Sequence, residues 1–308
     1  MRKLSFQDKI RAALVVALVV SASVFIAAVI TLIRFPEAPD VPPPPKAPAV
    51  IDIPITPDPV MPQETPVPPE ELTGGTQERP PEPEPKRPRI LVFVIDDAGN
   101  NLWELEPFLQ FPGPLTIAVL PGLPYSAEAA RRIRAAGKEV FLHQPMEAIG
   151  GNDPGPGAIY GGMEPAEIRT ILERNLAEIG PVAGMNNHQG SKVTMDAKAM
   201  ETILALCHEY GIYFLDSRTT ADTTAPAVAK RMGIKIGERD VFLDNIQEKA
   251  AMIGYVQEGL QKAERKGVAV MIGHTWSAEL AATLEELYPE LIEQGYSLTT
   301  ISRIMMEN

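Results

Sequence analysis

The chain has 308 residues, of which 45% are hydrophobic and 22% charged, with a formal net charge of −12. That length accommodates two average domains, or one larger α/β domain with extra segments. The acidic balance argues against nucleic acid and anionic lipid surfaces as partners. The single cysteine, Cys207, can form no internal disulfide.

Ala12 to Ile33 (AALVVALVVSASVFIAAVITLI) runs 22 residues without a charge, enough as a helix to cross a bilayer core of about 30 Å. Arg2, Lys3, Lys9 and Arg11 precede it, whereas Arg34 is soon followed by Glu37 and Asp40. This asymmetry predicts a cytoplasmic stub and single-pass membrane anchor over residues 1–34, with the rest of the chain on the extracytoplasmic side. A cleaved signal peptide is the rival reading, because Ser21-Ala22-Ser23 and Ala27-Ala28 are small, but its apolar core would be unusually long. Residues 35–89 hold 19 of the 31 prolines and show no apolar period. They read as a linker, extended and partly polyproline II, with a reach on the order of 100 Å. A polyproline ligand for a partner domain is the lesser alternative.

From residue 90 to 308, strand-length apolar runs alternate with helical segments. The runs are Ile90–Ile95, Leu115–Leu120, Glu139–Leu142, Val182–Met185, Tyr213–Leu215, Ile234–Ile236 and Val268–Ile272, with a shorter one at Tyr296–Leu298. Ile246, Ala250, Ile253, Val256, Leu260 and Ala263 fall on one face of a helix. Gly137, Gly211, Gly233, Gly267 and Gly295 each precede a strand as helix terminators. Pro165 opens one helix and Asp196 caps another. Fully apolar strands between helices imply a parallel sheet covered on both faces, closed into a barrel or open and doubly wound. After the first strand, "DDAGNN" lacks a glycine-rich phosphate loop, which argues against a nucleotide cofactor.

In a parallel barrel, chemistry collects at the carboxyl ends of the strands. Those ends read Asp96-Asp97, Pro121-Gly122, His143, Asn186-Asn187-His188, Asp216, Asp244 and His274. Three of the four histidines fall there; His208 is the exception, inside a helical pattern. Converging imidazoles and carboxylates suit a divalent metal such as zinc, with about three protein ligands and an open position. Of the adjacent acids, one would bind the metal and the other act as general base, in either order. Taken singly, each residue has a structural alternative: Asp216 as a helix cap, the asparagines as turn residues, Trp276 as core.

The series "VIDDAG", "LHQPME", "NNHQGS", "FLDS", "IGH" resembles the divergent polysaccharide deacetylase family, a relative of the NodB-type carbohydrate esterases. The resemblance spans the chain from Ile90 to the C-terminus. It implies an irregular seven-stranded (β/α) barrel, a divalent metal (usually zinc), and removal of N-acetyl groups from a sugar polymer. Asp96 corresponds to the base and Asp97 to the metal-binding acid. His143 matches the first of two expected histidines, but Glu147 stands at the second position. Either Glu147 or His188 would then complete the ligand set, and Asp97, His143 and His188 is the favoured combination. An expected arginine is missing where "NNHQGS" stands. His274 matches a general acid, oriented by Asp216. Asn187, Trp276 and the loop Gly150 to Gly162 would contact the polymer. The two departures leave room for a different class of function, an envelope binding or scaffold module that keeps the fold without hydrolysis. A glycosidase on the same barrel accounts for the acids but leaves the histidines unused.

Overall fold

The computed structural model describes residues 89–306. The expected anchor, and all of the expected linker before Arg89, lie outside the described residues. Among the described residues, no helix is long and apolar enough to cross a membrane.

The first half contains β1 (Ile90–Ala98), α1 (Glu106–Gln110), β2 (Thr116–Val119), α2 (Ser126–Ala135), β3 (Glu139–Met146), α3 (Pro165–Ile179) and β4 (Gly184–Gln189). The second contains α4 (Ala197–Tyr210), β5 (Tyr213–Asp216), α5 (Ala225–Met232), β6 (Gly237–Glu238), β7 (Val241–Phe242), α6 (Lys249–Lys266) and β8 (Val268–His274). Then come α7 (Ala278–Glu293), β9 (Ser297–Thr299) and α8 (Ile301–Met306). All strand pairs are parallel. The order is β6-β5-β4-β3-β2-β1-β8-β7, with β9 also paired to β1.

The architecture is a parallel α/β half-barrel rather than a closed seven-stranded ring. Its two edges, β6 and β7, are consecutive in the chain, two residues long each, and not paired with one another. Curvature follows from the contacts. β4 and β1 stand three strand spacings apart, about 14 Å in a flat sheet, yet Asn186 Nδ2 donates to Asp96 Oδ1 at 2.9 Å. The curl splits the core into two layers. Leu91, Phe93, Ile95, Leu142, Met185, Phe214 and Met271 face the helices. Val92, Val94, Phe141, Leu215, Val270 and Ile272 face inward, packed with Ile301 and Met305 of α8.

Two sequence expectations need correction. Ile234–Ile236 is not a strand, because Gly233 ends α5 in the left-handed region (φ 67°) and Ile234 N donates back to Ala229 O at 2.9 Å. Pairing begins only at Gly237. The buried stripe of α6 is Met252, Val256, Gly259 and Ala263, while Ile246 precedes the helix and is exposed. Gly259 belongs to that stripe because a Cβ there would collide with Met271 Sδ. Pro165 does open α3, and the Asp196 carboxylate accepts from the backbone N–H groups of Lys198 and Ala199 at the start of α4.

Candidate metal centre and catalytic site

Strand pleat decides which strand-end side chains meet. On β1 the inward residues are Val92 and Val94, so Asp96 follows them inward at the period of two. Asp97 would then face the helices. It does not, because its φ is +67° and the β1–β2 register shifts between Ile95 and Ala98. An irregularity of this kind re-aims a side chain, and here it turns the second acid toward the first one's face. A non-glycine residue in that conformation costs about 1–2 kcal/mol, offset by what the carboxylate meets there.

Asp97 Oδ1 lies 3.2 Å from His143 Nε2 and 3.0 Å from His188 Nδ1, and those two nitrogens are 3.1 Å apart. A tetrahedral ion with ligand distances of about 2.0–2.1 Å wants its donor atoms about 3.3 Å apart, so this triangle has the right size. Asp97 Oδ1 is buried yet accepts no hydrogen bond, an unmet demand that a cation would satisfy. The tautomer of His143 agrees. Its Nδ1 donates to Asn186 Oδ1 at 2.8 Å, because the amide's other end is committed to Asp96. Nε2 is therefore the atom left with a free lone pair toward the cluster. Burial alone would lift the Asp97 pKa, but the imidazoles of His143 and His188 more than reverse this and hold it far below the carboxylate range. Burial lowers the His143 pKa, and the charges of Asp96 and Asp97 outweigh it and raise the value. The pocket thus favours positive charge. Among the described residues, Asp97, His143 and His188 are the group able to hold a metal; the donor set fits zinc.

Asp96 stands beside this cluster, buried, with Oδ2 3.6 Å from His143 Nε2. Burial pushes its pKa up against the pull of His143 and His274. Asn186 Nδ2 donates to both of its oxygens, at 2.9 and 3.0 Å. On the neighbouring strand, in register with Asp96, is His274. Its Nδ1 lies 3.0 Å from Asp244 Oδ1, and its backbone N–H donates to Asp244 Oδ2 at 2.8 Å. Burial pulls the His274 pKa down, but the Asp244 carboxylate reverses this and carries it to about 9. Phe242 and Trp276 stack on the imidazole, with centroids 6.0 and 5.0 Å away.

Two expected roles are not met, and the alternative ligand left open, Glu147, is not taken. Asp216 does not orient His274: it faces the helix layer, where its carboxylate accepts from the Arg218 N–H and the Thr223 hydroxyl at 2.8 Å each. Asn187 does not line a groove. It also faces outward, its Oδ1 accepting from Ser217 N at 2.9 Å and its Nδ2 donating to Gln189 O at 2.8 Å. Glu147 is not part of the metal cluster, since its oxygens accept from Lys192 Nζ at 2.7 Å and Gly161 N at 2.8 Å. Trp276 is half-exposed at the rim of the site. Sequence reading placed Asn186 and Asp244 at strand ends but gave them no role. Register was the missing signal: Asn186 pairs with His143, and Asp244 lies two residues past inward-facing Phe242, which pairs with Ile272.

A family model for divergent polysaccharide deacetylases matches residues 93–305, and the chain belongs to that family. An uncharacterized protein of Haemophilus influenzae is 29% identical over 184 residues, 60% of this chain and 66% of the relative. The uncharacterized protein YibQ of Escherichia coli K12 is 31% identical over 198 residues, 64% of this chain and 62% of the relative. The matches therefore span just under two thirds of each relative's length. Among solved structures, an uncharacterized protein of Agrobacterium tumefaciens C58 superposes with a TM-score of 0.67 at 21% identity, over 73% of this chain and 92% of that one. That similarity speaks for the fold.

Proposed function

We propose that this protein is a metal-dependent deacetylase that removes acetyl groups from N-acetylated sugars of an envelope polysaccharide. One observation carries the reading: a carboxylate oxygen and two imidazole nitrogens converge within 3.2 Å of one another, beside a second, buried acid. Asp97, His143 and His188 would hold the metal, which when bound supplies a Lewis acid for the acetyl carbonyl and lowers the pKa of water. Asp96 accepts the proton of the attacking water, its raised pKa bringing it toward the range where a base works near neutrality. Asn186 fixes the plane of that carboxylate. His274, protonated below about pH 9, donates to the departing amine nitrogen, and Asp244 keeps its ring oriented. Trp103, Tyr125, Tyr160 and Trp276 are all exposed on connections that follow strands, on the same face as the site. Aromatic rings so placed suit the C–H faces of successive sugars in a polymer. The uncharged run Ala12 to Ile33 and the proline-rich stretch after it support tethering at the inner membrane with the domain outside the cytoplasm.

A second reading is favoured by one feature. Asn186, a neutral amide, holds Asp96 where the family resemblance leads one to expect arginine. A binding or scaffold module would tolerate that exchange. Calorimetric titration of the metal-free chain with Zn2+, followed by assay of acetate release from an N-acetylglucosamine oligomer, separates the two. The deacetylase reading expects binding and acetate. Binding without turnover of any amide or ester moves the assignment to the scaffold, and loss of binding in Asp97→Ala or His188→Ala identifies the ligands.

A further inference from the structure

Trp276 makes two contacts that a surface aromatic has no general reason to make together. Its indole Nε1 donates to Asp97 Oδ2 at 3.0 Å, the oxygen on the far side of the carboxylate from the two imidazoles. Its ring lies nearly parallel to His274, 18° between planes and 5.0 Å between centroids. The same imidazole is backed on β7 by Phe242, tilted by 20°, and Phe242 in turn lies under the Arg239 guanidinium, 3.8 Å from ring centroid to Cζ. Trp276 closes this column and joins it to the metal-binding acid, yet its side chain is 46% exposed. A half-exposed indole can give its N–H to water. Here it gives it to a carboxylate whose other oxygen is buried with no hydrogen bond.

We infer that Trp276 is a positioning residue for the metal centre: its N–H engages Asp97 Oδ2 so that Oδ1 alone is presented beside His143 and His188. This rests on the metal-dependent reading above and adds to it a residue that neither binds the ion nor exchanges a proton. Two constraints act on one ring. The stack on His274 fixes the plane of the indole, and the plane fixes where the N–H points. Asp97 needs such a hold because its backbone sits in the left-handed region, φ 67°, and does not follow the strand pleat that orients Asp96.

The test uses the 308-residue chain and its Trp276→Phe variant, which keeps an aromatic ring over His274 and removes the N–H. Three readouts are taken on each: melting of the metal-free protein, calorimetric affinity for Zn2+, and the visible absorption of the Co2+-loaded protein. The expected result is unchanged melting, Zn2+ affinity weakened about tenfold, at the lower end of the 10- to 100-fold loss seen when a ligand's hydrogen-bond partner is removed, and an altered Co2+ spectrum as Asp97 reorients. A variant that binds Zn2+ as tightly as wild type, with the same Co2+ spectrum, overturns the inference and leaves the metal reading intact. A wild-type chain that binds no Zn2+ or Co2+ removes both. Trp276→Ala serves as the second variant: it should lose at least as much affinity as the phenylalanine form, and a smaller loss also counts against a role for the N–H.

Discussion

β5 and the region of β7 spell the same three letters. Phe214-Leu215-Asp216 and Phe242-Leu243-Asp244 both run to the carboxyl edge of the sheet, and both aspartates are buried. Yet they do different work. Leu215 belongs to the inner layer and Leu243 to the outer one, so the two triplets sit on opposite phases of the pleat. Asp216 is thereby turned to the helix side, where it ties down the turn to Arg218 and Thr223. Asp244 is turned inward, against His274. A motif at a strand end is half a statement; the phase of the strand supplies the rest.

The largest expected effect that separates the pair is on turnover. Asp244→Asn should lower kcat by about 10²-fold or more, the low end of what general acid–base catalysis contributes, with Zn2+ affinity unchanged. Asp216→Asn should leave kcat within about threefold, because the turn it braces is not among the reacting groups. Equal losses in the two variants would mean that pleat phase does not assign these roles.

The pH profile sharpens the same contrast. His274 has its pKa raised to about 9, so under the proposed mechanism the proton it would donate is present below that value and lost as pH rises through it. Activity of the wild type should therefore fall on the alkaline side near pH 9. In Asp244→Asn the fall should move toward the ordinary histidine value of about 6.5, while Asp216→Asn keeps the wild-type limb. Stability follows the same sign. The raised pKa contributes stability that is complete below about pH 6.5 and disappears as pH climbs through about 9. Thermal melts of the metal-free wild type and Asp244→Asn across that window should converge at its alkaline end.

How much of this was legible in the sequence follows from the same pleat. The apolar runs marked most of the strands, and the glycines after helices marked where several begin. The resemblance located the two acids, His143 and His274. Phase was silent because β1 is apolar at every position from Leu91 to Ile95 and buried on both faces, as parallel strands are. An alternating strand would have announced its inward set. Without it, Asp216 and Asp244 were interchangeable as partners for His274, and Asn186 and Asn187 as neighbours of the site. Asp97 was harder still. Its inward turn depends on a positive φ and a register shift, which no apolar period encodes.

A smaller effect tests the structural half of the comparison. Asp216 accepts two hydrogen bonds in a buried position; in Asp216→Asn the bond to Thr223 survives only with its direction reversed, the amide donating to the hydroxyl oxygen, and both bonds lose their charge assistance. A loss of about 1–3 kcal/mol is expected, or several degrees of melting temperature for a domain of this size. Thr223→Val, which removes one of those bonds and leaves the acid, should cost about 0.5–1.5 kcal/mol. Denaturant titration reads both; a neutral Asp216→Asn would show that the turn holds without its carboxylate.

The smallest expected effect on activity is at Asn187, and β4 repeats the lesson there within one strand. Asn186 and Asn187 are adjacent, chemically identical, and buried to the same degree. The first faces inward, bridging Asp96 and His143. The second faces outward and braces the backbone of Ser217 and Gln189. Asn187→Ala should leave KM for an N-acetylglucosamine oligomer unchanged and lower stability by about 1–3 kcal/mol, because Ser217 N–H then loses its partner in a buried place. Asn186→Ala should reverse the pattern, lowering kcat by leaving Asp96 and His143 unbraced. If instead Asn187→Ala raised KM with stability intact, its side chain would have to reach the polymer from the far side of the sheet. Strand geometry does not allow that, because neighbouring residues of a strand point to opposite faces. Such a result would therefore indict the register of β4 itself, and with it the placement of His188 beside Asp97.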